Sequence, residues 1–263
     1  MSVADLIITS VETITGFDMV TGDLKFVLDE LQNVSIANTE EKEDVTGKGG
    51  RKLSSLKRNK GVTISGTSGL LSGGLMELQT GGTFENKAAE VMWVDYLTVN
   101  SNAATTNYTA IGTSGAEIEE LYIRNTDGTL GNKLEQDTTA ASGKFAYAPA
   151  TKALTFSGIT DKTEIVVYYK RHIQADVLDN NSDSYSEKAT LYIDAMAEDK
   201  CNNLYRVQFF IPKADFNGEF TIEMGDSQVT HDFEAESMSG ACIGNSSLLW
   251  TYTVFGANAE DAA

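Results

Sequence analysis

Most apolar runs in this chain alternate with polar residues at a period of two, the pattern of a strand with one buried face. The runs are short, and clusters of Gly, Asn, Asp, Ser and Thr separate them. Strands are predicted at Leu24–Leu28, Val62–Ile64, Val91–Val94, Leu121–Ile123, Leu154–Phe156, Ile165–Tyr169, Leu191–Ile193, Tyr205–Ile211, Phe220–Ile222 and Leu248–Val254. This spacing predicts an all-β protein, a barrel or a sandwich, with one or two short helices.

Helix signals are confined to two segments. Ser68–Thr80 is followed by Gly81 and Gly82, which predict its end. The segment places four leucines at helical spacing, namely Leu70, Leu71, Leu75 and Leu78. Its internal glycine pair weakens the helix, so we expect a short helix that packing stabilises. The second segment, Pro212–Phe216, predicts one further turn, because proline suits a first helical position.

Composition changes near Asn100, where a stretch rich in Asn, Ala, Thr, Ser and Gly predicts a linker or long loop through residue 116. A β-rich piece follows, and then an acidic polar stretch up to Glu187. We therefore predict a core formed by residues 1–99 and 188–263. Residues 100–187 are either a small inserted β-sandwich or additional strands of that core.

The charge balance restricts the function. The chain has 263 residues and a formal net charge of −18, with a pI near 4.4. Sequence-specific binding of free DNA requires basic side chains that neutralise the phosphates, so the negative net charge argues against that function. The same balance argues against docking on anionic membranes.

The amino-terminal stretch and the cysteines bear on compartment. The start, MSVADLIITSVETITGFD, lacks a basic region, and Asp5 interrupts any apolar core, so we expect no signal peptide. No apolar run approaches the length of a membrane span. Cys201 and Cys242 stand in no CxxC pattern, and we predict two reduced thiols.

The segment Thr39–Lys60 separates its charges along the chain. Its acids are Glu40, Glu41, Glu43 and Asp44, its glycines are Gly47, Gly49 and Gly50, and its later bases are Lys48, Arg51, Lys52, Lys57, Arg58 and Lys60. A strand precedes the segment and another follows it. We therefore expect the chain to leave the body here as a projecting loop and to return.

Four interpretations of this segment compete. The GKGGRK stretch lacks the GxxxxGK[ST] pattern of a phosphate-binding loop, which disfavours nucleotide binding. The adjacent acids oppose nucleic-acid binding by the basic half. A solvated hairpin remains an open alternative. The favoured interpretation is an interface with an identical subunit, in which the charged residues fix the register and Leu53 and Leu56 supply apolar contact.

No catalytic, cofactor or metal site is predicted. His172 and His231 lack zinc-ligand spacing, and His231 beside Asp232 is expected as a hydrogen-bonded surface pair on a strand. No GxSxG elbow is present, and neither cysteine has a nucleophile setting. Residues 179–187 alternate as DxNxDxYxE but depart from a calcium-binding EF-hand at its sixth and twelfth positions. A polar loop is favoured there over a looser cation-binding turn.

Conspicuous aromatic residues are expected in packing roles. Trp93, Trp250 and the pair Tyr168–Tyr169 alternate with small or polar residues along predicted strands. This arrangement favours core or interface packing over a ligand platform.

Two regions carry a family resemblance. The first runs from LKFVLDELQNVSI through an acidic stretch into DVTGKGGRKLSSLKRNKGVTISGTSGLLSGGLMELQTGG. The second joins TLYIDAMAEDKCNNLYRVQFFIPKADF to NGEFTIEMGDSQVTHDFEAES, and the final strand is LLWTYTVF. Together, residues 17–85 and 188–255 resemble the major tail, or tail tube, proteins of long-tailed bacteriophages.

The resemblance implies a β-barrel or sandwich with a flanking helix, and hexameric rings that stack into a tube. It implies that Glu40–Lys60 contacts the adjacent ring and that the middle piece decorates the outside. The implied location is the tail of the virion, after synthesis in the bacterial cytoplasm. The implied partners are further copies of the chain and other tail proteins, namely the sheath or terminator, the baseplate and the tape measure.

Such a tube gives the acidity a physical use, since an acidic lumen repels DNA phosphates and leaves the DNA mobile. Acidity that serves only solubility explains the charge equally well. The alternative functions are another virion β-protein, such as a capsid decoration or baseplate component, and a carbohydrate-binding or adhesin module. The expected lack of a signal peptide and the scattered aromatics count against the adhesin.

Overall fold

The structure, a computed structural model, describes residues 5–223, 230–240 and 247–256. It is 63% strand and 3% helix, which confirms the all-β prediction. The strands are β1 (Leu6–Asp18), β2 (Leu24–Leu28), β3 (Leu31–Thr46), β4 (Lys52–Ser68), β5 (Glu85–Thr98), β6 (Ala103–Thr105), β7 (Ile118–Arg124), β8 (Leu130–Gln136), β9 (Lys144–Ala148), β10 (Ala153–Phe156), β11 (Glu164–Val177), β12 (Lys188–Asp199), β13 (Leu204–Phe216), β14 (Ile222–Glu223), β15 (Thr230–Ser237) and β16 (Thr251–Gly256). Within the described ranges, the one helix is α1 (Gly73–Thr80).

The chain divides into two compact units. The first comprises residues 1–84 and 178–263, and the second comprises residues 85–177. This structural division assigns β5 and the polar stretch that follows β11 differently from the sequence-based bounds at 99/100 and 187/188. The assignment of those sequence-based ranges to separate domains stays a prediction.

The first unit is a nine-stranded antiparallel sheet in the order β2-β1-β12-β13-β15-β4-β3, with β14 beside β15 and β16 beside β13. Its strands follow the predicted alternation. In β12, the buried positions run from Ala189 to Ala197 at every second residue. The sheets of the molecule curl like half-barrels. The concave face thereby encloses a core that includes Ile14, Ile64, Leu191 and Ile211.

Helix α1 closes one side of this core with Leu75 and Leu78, both of which are buried. The predicted start at Ser68 is wrong. The Ser72 side chain accepts a hydrogen bond from the backbone N–H of Leu75 and caps the helix, as serine does at this position. Leu70 and Leu71 precede this cap and are exposed. The predicted end is confirmed, because Gly81 adopts the left-handed conformation with φ +69°.

The predicted helical turn at Pro212–Phe216 is also wrong, since these residues complete β13. The register between β12 and β13 shifts between the pairs Ala189–Ala214 and Leu191–Ile211. Two residues, Pro212 and Lys213, therefore oppose Thr190, which makes this position a β-bulge. A bulge tolerates a proline that has no N–H to donate.

The second unit is a seven-stranded sheet in the order β5-β11-β7-β8-β9-β10-β6. Its separate core includes Leu121, Phe145, Leu154 and Ile165. Residues 100–116 do not act as a linker here, because β6 pairs with β10 inside this unit. The segment is turn-rich, as its composition predicted.

A buried carboxylate organises this turn-rich segment. Asp95 is 1% exposed and accepts hydrogen bonds from the Tyr169 hydroxyl at 2.7 Å and the Trp93 indole N–H at 3.0 Å. It also accepts from the backbone N–H of Asn107 at 2.8 Å and from the Asn107 side-chain amide at 2.6 Å. All four of these groups are hydrogen-bond donors, so the carboxylate acts only as an acceptor for them. Burial and the bond to Asp95 raise the pKa of Tyr169.

Trp93 and Trp250 lie in packing positions, as expected. The Arg171 guanidinium lies 4.6 Å from the centre of the Trp93 ring and 3.5 Å from that of Tyr108, a cation–π sandwich. In the first unit, Trp250 packs against Phe209 with ring centres 5.8 Å apart.

Replacement of Gly74 by alanine is expected to destabilise the first unit, although alanine favours helices. A Cβ at Gly74 would lie 2.1 Å from the Lys25 carbonyl oxygen, so α1 would have to move away from the core. The expected cost is about 1–3 kcal/mol. The measurement is urea unfolding followed by Trp250 fluorescence in a Trp93→Phe background.

Gly73→Ala is the matched control, because its Cβ would meet only the edge of the Phe84 ring, at 3.2 Å. It should leave the stability unchanged or raise it by up to about 1 kcal/mol. Equal unfolding midpoints for the two variants would contradict the close approach of α1 to β2.

Asp95→Asn is expected to destabilise the second unit by about 1–3 kcal/mol, because the new NH₂ group faces hydrogen-bond donors. Urea unfolding followed by Trp93 fluorescence in a Trp250→Phe background measures this cost. Asp176→Asn, which alters an exposed carboxylate on β11, should change stability by no more than about 0.5 kcal/mol. An unfolding midpoint for Asp95→Asn equal to that of the control would show that the buried carboxylate contributes nothing.

Candidate assembly interface

Strands β3 and β4 continue beyond the sheet as a two-stranded arm, defined here as residues 40–60. Strand β15 pairs with β4 only from Thr63 to Ser68. Farther out, β3 and β4 pair with each other alone among the described residues, as far as Thr46 and Lys52. The sequence predicted that the chain leaves the body here and returns. It favoured a projecting loop and left a hairpin open as an alternative, and the excursion is a paired hairpin, in which strand pairing satisfies backbone groups that a loop would leave to water.

Glycines form the tip of the arm. The Gly47 N–H donates to the Arg51 carbonyl at 2.8 Å, and the Gly50 N–H donates to the Gly47 carbonyl at 3.1 Å. Gly49 and Gly50 have φ values of +79° and +75°, a conformation that strains residues with side chains. The tip is therefore narrow, and its turn includes Lys48 and Arg51.

The acidic and basic halves of the segment face each other across the hairpin. Three ion pairs join β3 to β4, namely Asp44–Lys52 at 2.6 Å, Glu40–Lys57 at 2.8 Å and Glu43–Arg58 at 2.8 Å. Glu41 accepts a hydrogen bond from the Asn59 side chain at 2.7 Å. The charge segregation seen in the sequence thus produces cross-strand pairs within one arm. All these side chains are exposed, so each pair contributes little to stability.

Several cations of the arm form no close ion pair, although the charges of Lys42 and Lys60 help to lower the pKa of Glu40. Within the described residues, Lys42, Lys48, Arg51 and Lys60 form no ion pair. The arm carries seven basic and four acidic residues, a net charge of +3 in a chain of −18. The arm is thus a basic projection from an acidic protein, and its excess charge includes both cations at the tip.

The arm also exposes apolar side chains. Val45, Leu53 and Leu56 are 38%, 60% and 45% exposed. Residues paired across two strands share a face, so the pairs Glu43–Leu56 and Val45–Ser54 place Val45 and Leu56 on one side. The ion pair of Glu43 with Arg58 flanks this apolar patch. An apolar centre with a charged border is the usual arrangement of a protein interface.

A second surface feature, absent from the sequence-based prediction, is a groove of about 810 Å³ in the first unit. Residues of β3 and β4 line one part of it, namely Asn33, Val34, Ser35, Ser65, Gly66 and Thr67. Three exposed carboxylates line it, those of Glu219, Asp232 and Glu234, and no Lys or Arg does. These carboxylates form no ion pair within the described residues. Two of these acids alternate with buried residues on β15, and the sequence analysis did not predict that they border a groove.

His231 does not lie at the surface, contrary to the prediction. It is 0% exposed, and its Nε2 lies 2.8 Å from the Gln79 side-chain oxygen of α1. Gln79 in turn donates to the Asp232 carbonyl at 3.1 Å, which ties α1 to β15. Burial lowers the pKa of His231. His172 is exposed on β11, opposite Glu90.

The remaining candidates for chemistry stand as follows. Across residues 5–223, 230–240 and 247–256, no three His, Cys, Asp or Glu side chains are grouped to hold a metal ion. Residues 179–187 form a polar segment with a turn between β11 and β12. Cys201 is exposed as a free thiol, while Cys242 lies outside the described residues. In the part of the chain that the structure describes, no helix has the length and apolarity of a membrane span.

The sequence model of the YomU/Tube protein family matches residues 6–247, nearly the whole chain. The chain belongs to this family. Members are phage-derived, tube-like structural proteins, so the chain is a phage tube-related protein and a virion component. No curated protein matches it. The match supports the predicted phage origin and structural role at the level of the YomU/Tube family.

The Lys57→Gln substitution is expected to raise the pKa of the Glu40 carboxyl toward its ordinary value. The hydrogen bond and charge of Lys57 lower that pKa in the folded arm, and Glu40 raises the pKa of Lys57. Because the Glu40 pKa is lowered, the Glu40–Lys57 pair stabilises the folded arm at pH values above the ordinary carboxyl pKa. This contribution is lost as the pH falls through the lowered value. The raised Lys57 pKa has the opposite pH dependence. Its contribution to the stability of the arm is present below the ordinary lysine pKa and is lost as the pH rises through the raised value.

Carbon-detected NMR titration of Glu40 measures this change. Lys52→Gln is the control, because it removes the separate pair with Asp44 and should leave the Glu40 titration unchanged. A Glu40 titration that is the same in the wild type and in Lys57→Gln would contradict the cross-strand pair.

Proposed function

We propose that the chain is a tail tube subunit that forms hexameric rings, and that stacked rings form the conduit for DNA ejection. The observation that carries the proposal is the exposed arm. It is a two-stranded ribbon with apolar residues on its surface, in a chain of a phage tube family. An isolated two-stranded hairpin is marginally stable in water. Contact with another subunit would bury Val45, Leu53 and Leu56 and stabilise the arm.

Ring closure is supported by the open sheet of the first unit. The strand path ends at β2 on one side and at β3 on the other. Exposed edges present unpaired backbone groups, which invite pairing with another chain. Pairing of the edges of adjacent copies produces a head-to-tail interface, and such interfaces close into rings when the rotation allows.

Stacking is assigned to the arm, with the residues predicted from the sequence. The intramolecular ion pairs change the role of the charges, because the paired side chains already have a partner within the arm. The unpaired cations, Lys42, Lys48, Arg51 and Lys60, are then the charges that act between subunits. Charge sets the register and choice of partner, while apolar burial supplies most of the affinity.

The net charge of −18 argues against a DNA-binding surface and agrees with a conduit, although it also serves solubility. An acidic lumen repels phosphates, so DNA passes without the counterion release that holds it on a basic protein. In this proposal, DNA is cargo. The other partners are tail proteins that border the tube, namely the sheath or terminator, the baseplate and the tape measure.

The purified protein is expected to form rings or hollow tubes at high concentration, as seen by negative-stain electron microscopy. Seeding with tail tips supplies an initiator if spontaneous nucleation is slow. A monomeric particle at all concentrations and salts, with or without seeds, would contradict the proposal. Closed oligomers that never stack would favour a capsid decoration or baseplate component.

Deletion of the arm is expected to abolish stacking and to leave the β body folded. Thr39 pairs with Gly61, so an Asn-Gly turn between them replaces residues 40–60 without disturbing the register. Far-UV circular dichroism and the urea unfolding midpoint monitor the body, and electron microscopy monitors stacking. Tubes of normal length from this variant would overturn the assignment of the arm.

A further inference from the structure

We propose that the groove bordered by Glu219, Asp232 and Glu234 receives the arm tip of a second copy of this chain, with Lys48 and Arg51 against its carboxylates. This inference rests on the proposed stacking function, because it names the surface that the arm contacts. It concerns one defined occupant, the turn Gly47–Arg51, which contains the two cations.

Charge complementarity is the first argument. Within the described residues, Lys48 and Arg51 have no carboxylate partner, and the three groove carboxylates have no cation. A groove lined by one sign of charge concentrates an opposite charge and steers its approach. The arm is the basic element of an acidic chain, with a net charge of +3. The tip therefore offers two cations without ion-pair partners, and the groove offers three carboxylates without ion-pair partners.

Shape is the second argument. The residues of β3 and β4 that line the groove have short side chains or none, namely Asn33, Val34, Ser35, Ser65, Gly66 and Thr67. The tip is narrow, because Gly47, Gly49 and Gly50 have no side chains. A hairpin turn of this kind enters the groove end-on and presents its cations to the walls. Phe220 also lines the groove and offers an apolar contact.

The occupant must come from another copy. Ser35 in the groove lining and Gly47 at the tip are twelve residues apart on the same hairpin. At about 3.3 Å per residue, the tip lies about 40 Å from its own groove. Cross-strand pairing extends along the arm, so the ribbon cannot fold back on its own base without breaking that pairing. An extended arm reaches only a neighbour.

The direct test is a disulfide cross-link between full-length chains. One chain carries Arg51→Cys and the other Glu234→Cys, both in a background with Cys201→Ser and Cys242→Ser. One chain also bears a mass tag, so that mixed dimers are resolved by electrophoresis. Under mild oxidation we expect the tip and groove cysteines to form the mixed dimer at least tenfold more than Lys57→Cys on the arm stem does. Glu219→Cys serves as a second groove position.

Charge reversal supplies an independent readout. The pair Lys48→Glu with Arg51→Glu should shorten or abolish tubes, and so should the pair Asp232→Lys with Glu234→Lys. The chain with all four substitutions should regain tubes, because the reversed charges attract again. The urea unfolding midpoint identifies any variant that fails to fold, and Glu219→Lys, at the third groove carboxylate, then replaces the affected groove substitution.

The outcomes separate this inference from the proposed function. Wild-type tubes without the tip–groove cross-link, and with no effect of groove reversal, would overturn the docking site and leave the tube function intact. A tip–groove cross-link in a protein that never forms tubes would support the docking and overturn the tube function. Tubes together with the cross-link and the rescue support both. Stacking that is lost in the tip variant, Lys48→Glu with Arg51→Glu, but retained in the groove variant, with no tip–groove cross-link, would mean that the tip contacts another surface. That result would overturn the groove as the docking site.

Discussion

Backbone hydrogen bonding between β3 and β4 continues beyond the last residues that a third strand covers. The same two strands form the border of the sheet, part of the lining of the acidic groove and the arm. In the sheet they are supported by β15 and by core side chains such as Ile64. In the arm they have only each other, so a stable arm depends on local pairs and on contact with another molecule.

The distribution of charge follows from this geometry. Opposite charges lie at nearby positions on the two strands of the hairpin, and each cross-strand pair cancels one potential contact with a neighbour. What remains is a short basic tip and three unpaired carboxylates in a groove of the same chain. A protein that carries both a ligand-like projection and a complementary site, too far apart to meet within one copy, is suited to head-to-tail assembly.

The body depends on backbone contacts that tolerate few substitutions. The absence of a side chain at Gly74 lets α1 approach the carbonyl of Lys25, and Gln79 then reaches β15. The buried His231–Gln79 bond links the helix to the strand that borders the groove. In the second unit, Asp95 holds its turn-rich segment by the same principle, with several donors converging on one buried acceptor.

The sequence by itself determined the all-β class, the positions of strands with a clear apolar run such as β2, β11 and β13, the end of α1 and the location of the charged segment. These properties follow from local patterns: alternation, glycine punctuation and the order of charges. It did not determine that the prolyl segment at Pro212 extends β13, because a bulge opposite Thr190 accommodates the proline. Nor did it determine that His231 is buried against Gln79, since their contact joins positions distant in the chain.

For the candidate interface, too, the sequence determined some features and the tertiary structure decided others. Its residues were evident from the sequence, since charge segregation is a local property. The partner of each charge was not, because strand register decides which acid meets which base. The groove required the tertiary structure most of all. Its lining comes from β3, β4, β15 and residues 217–221, and only the folded sheet brings these segments together.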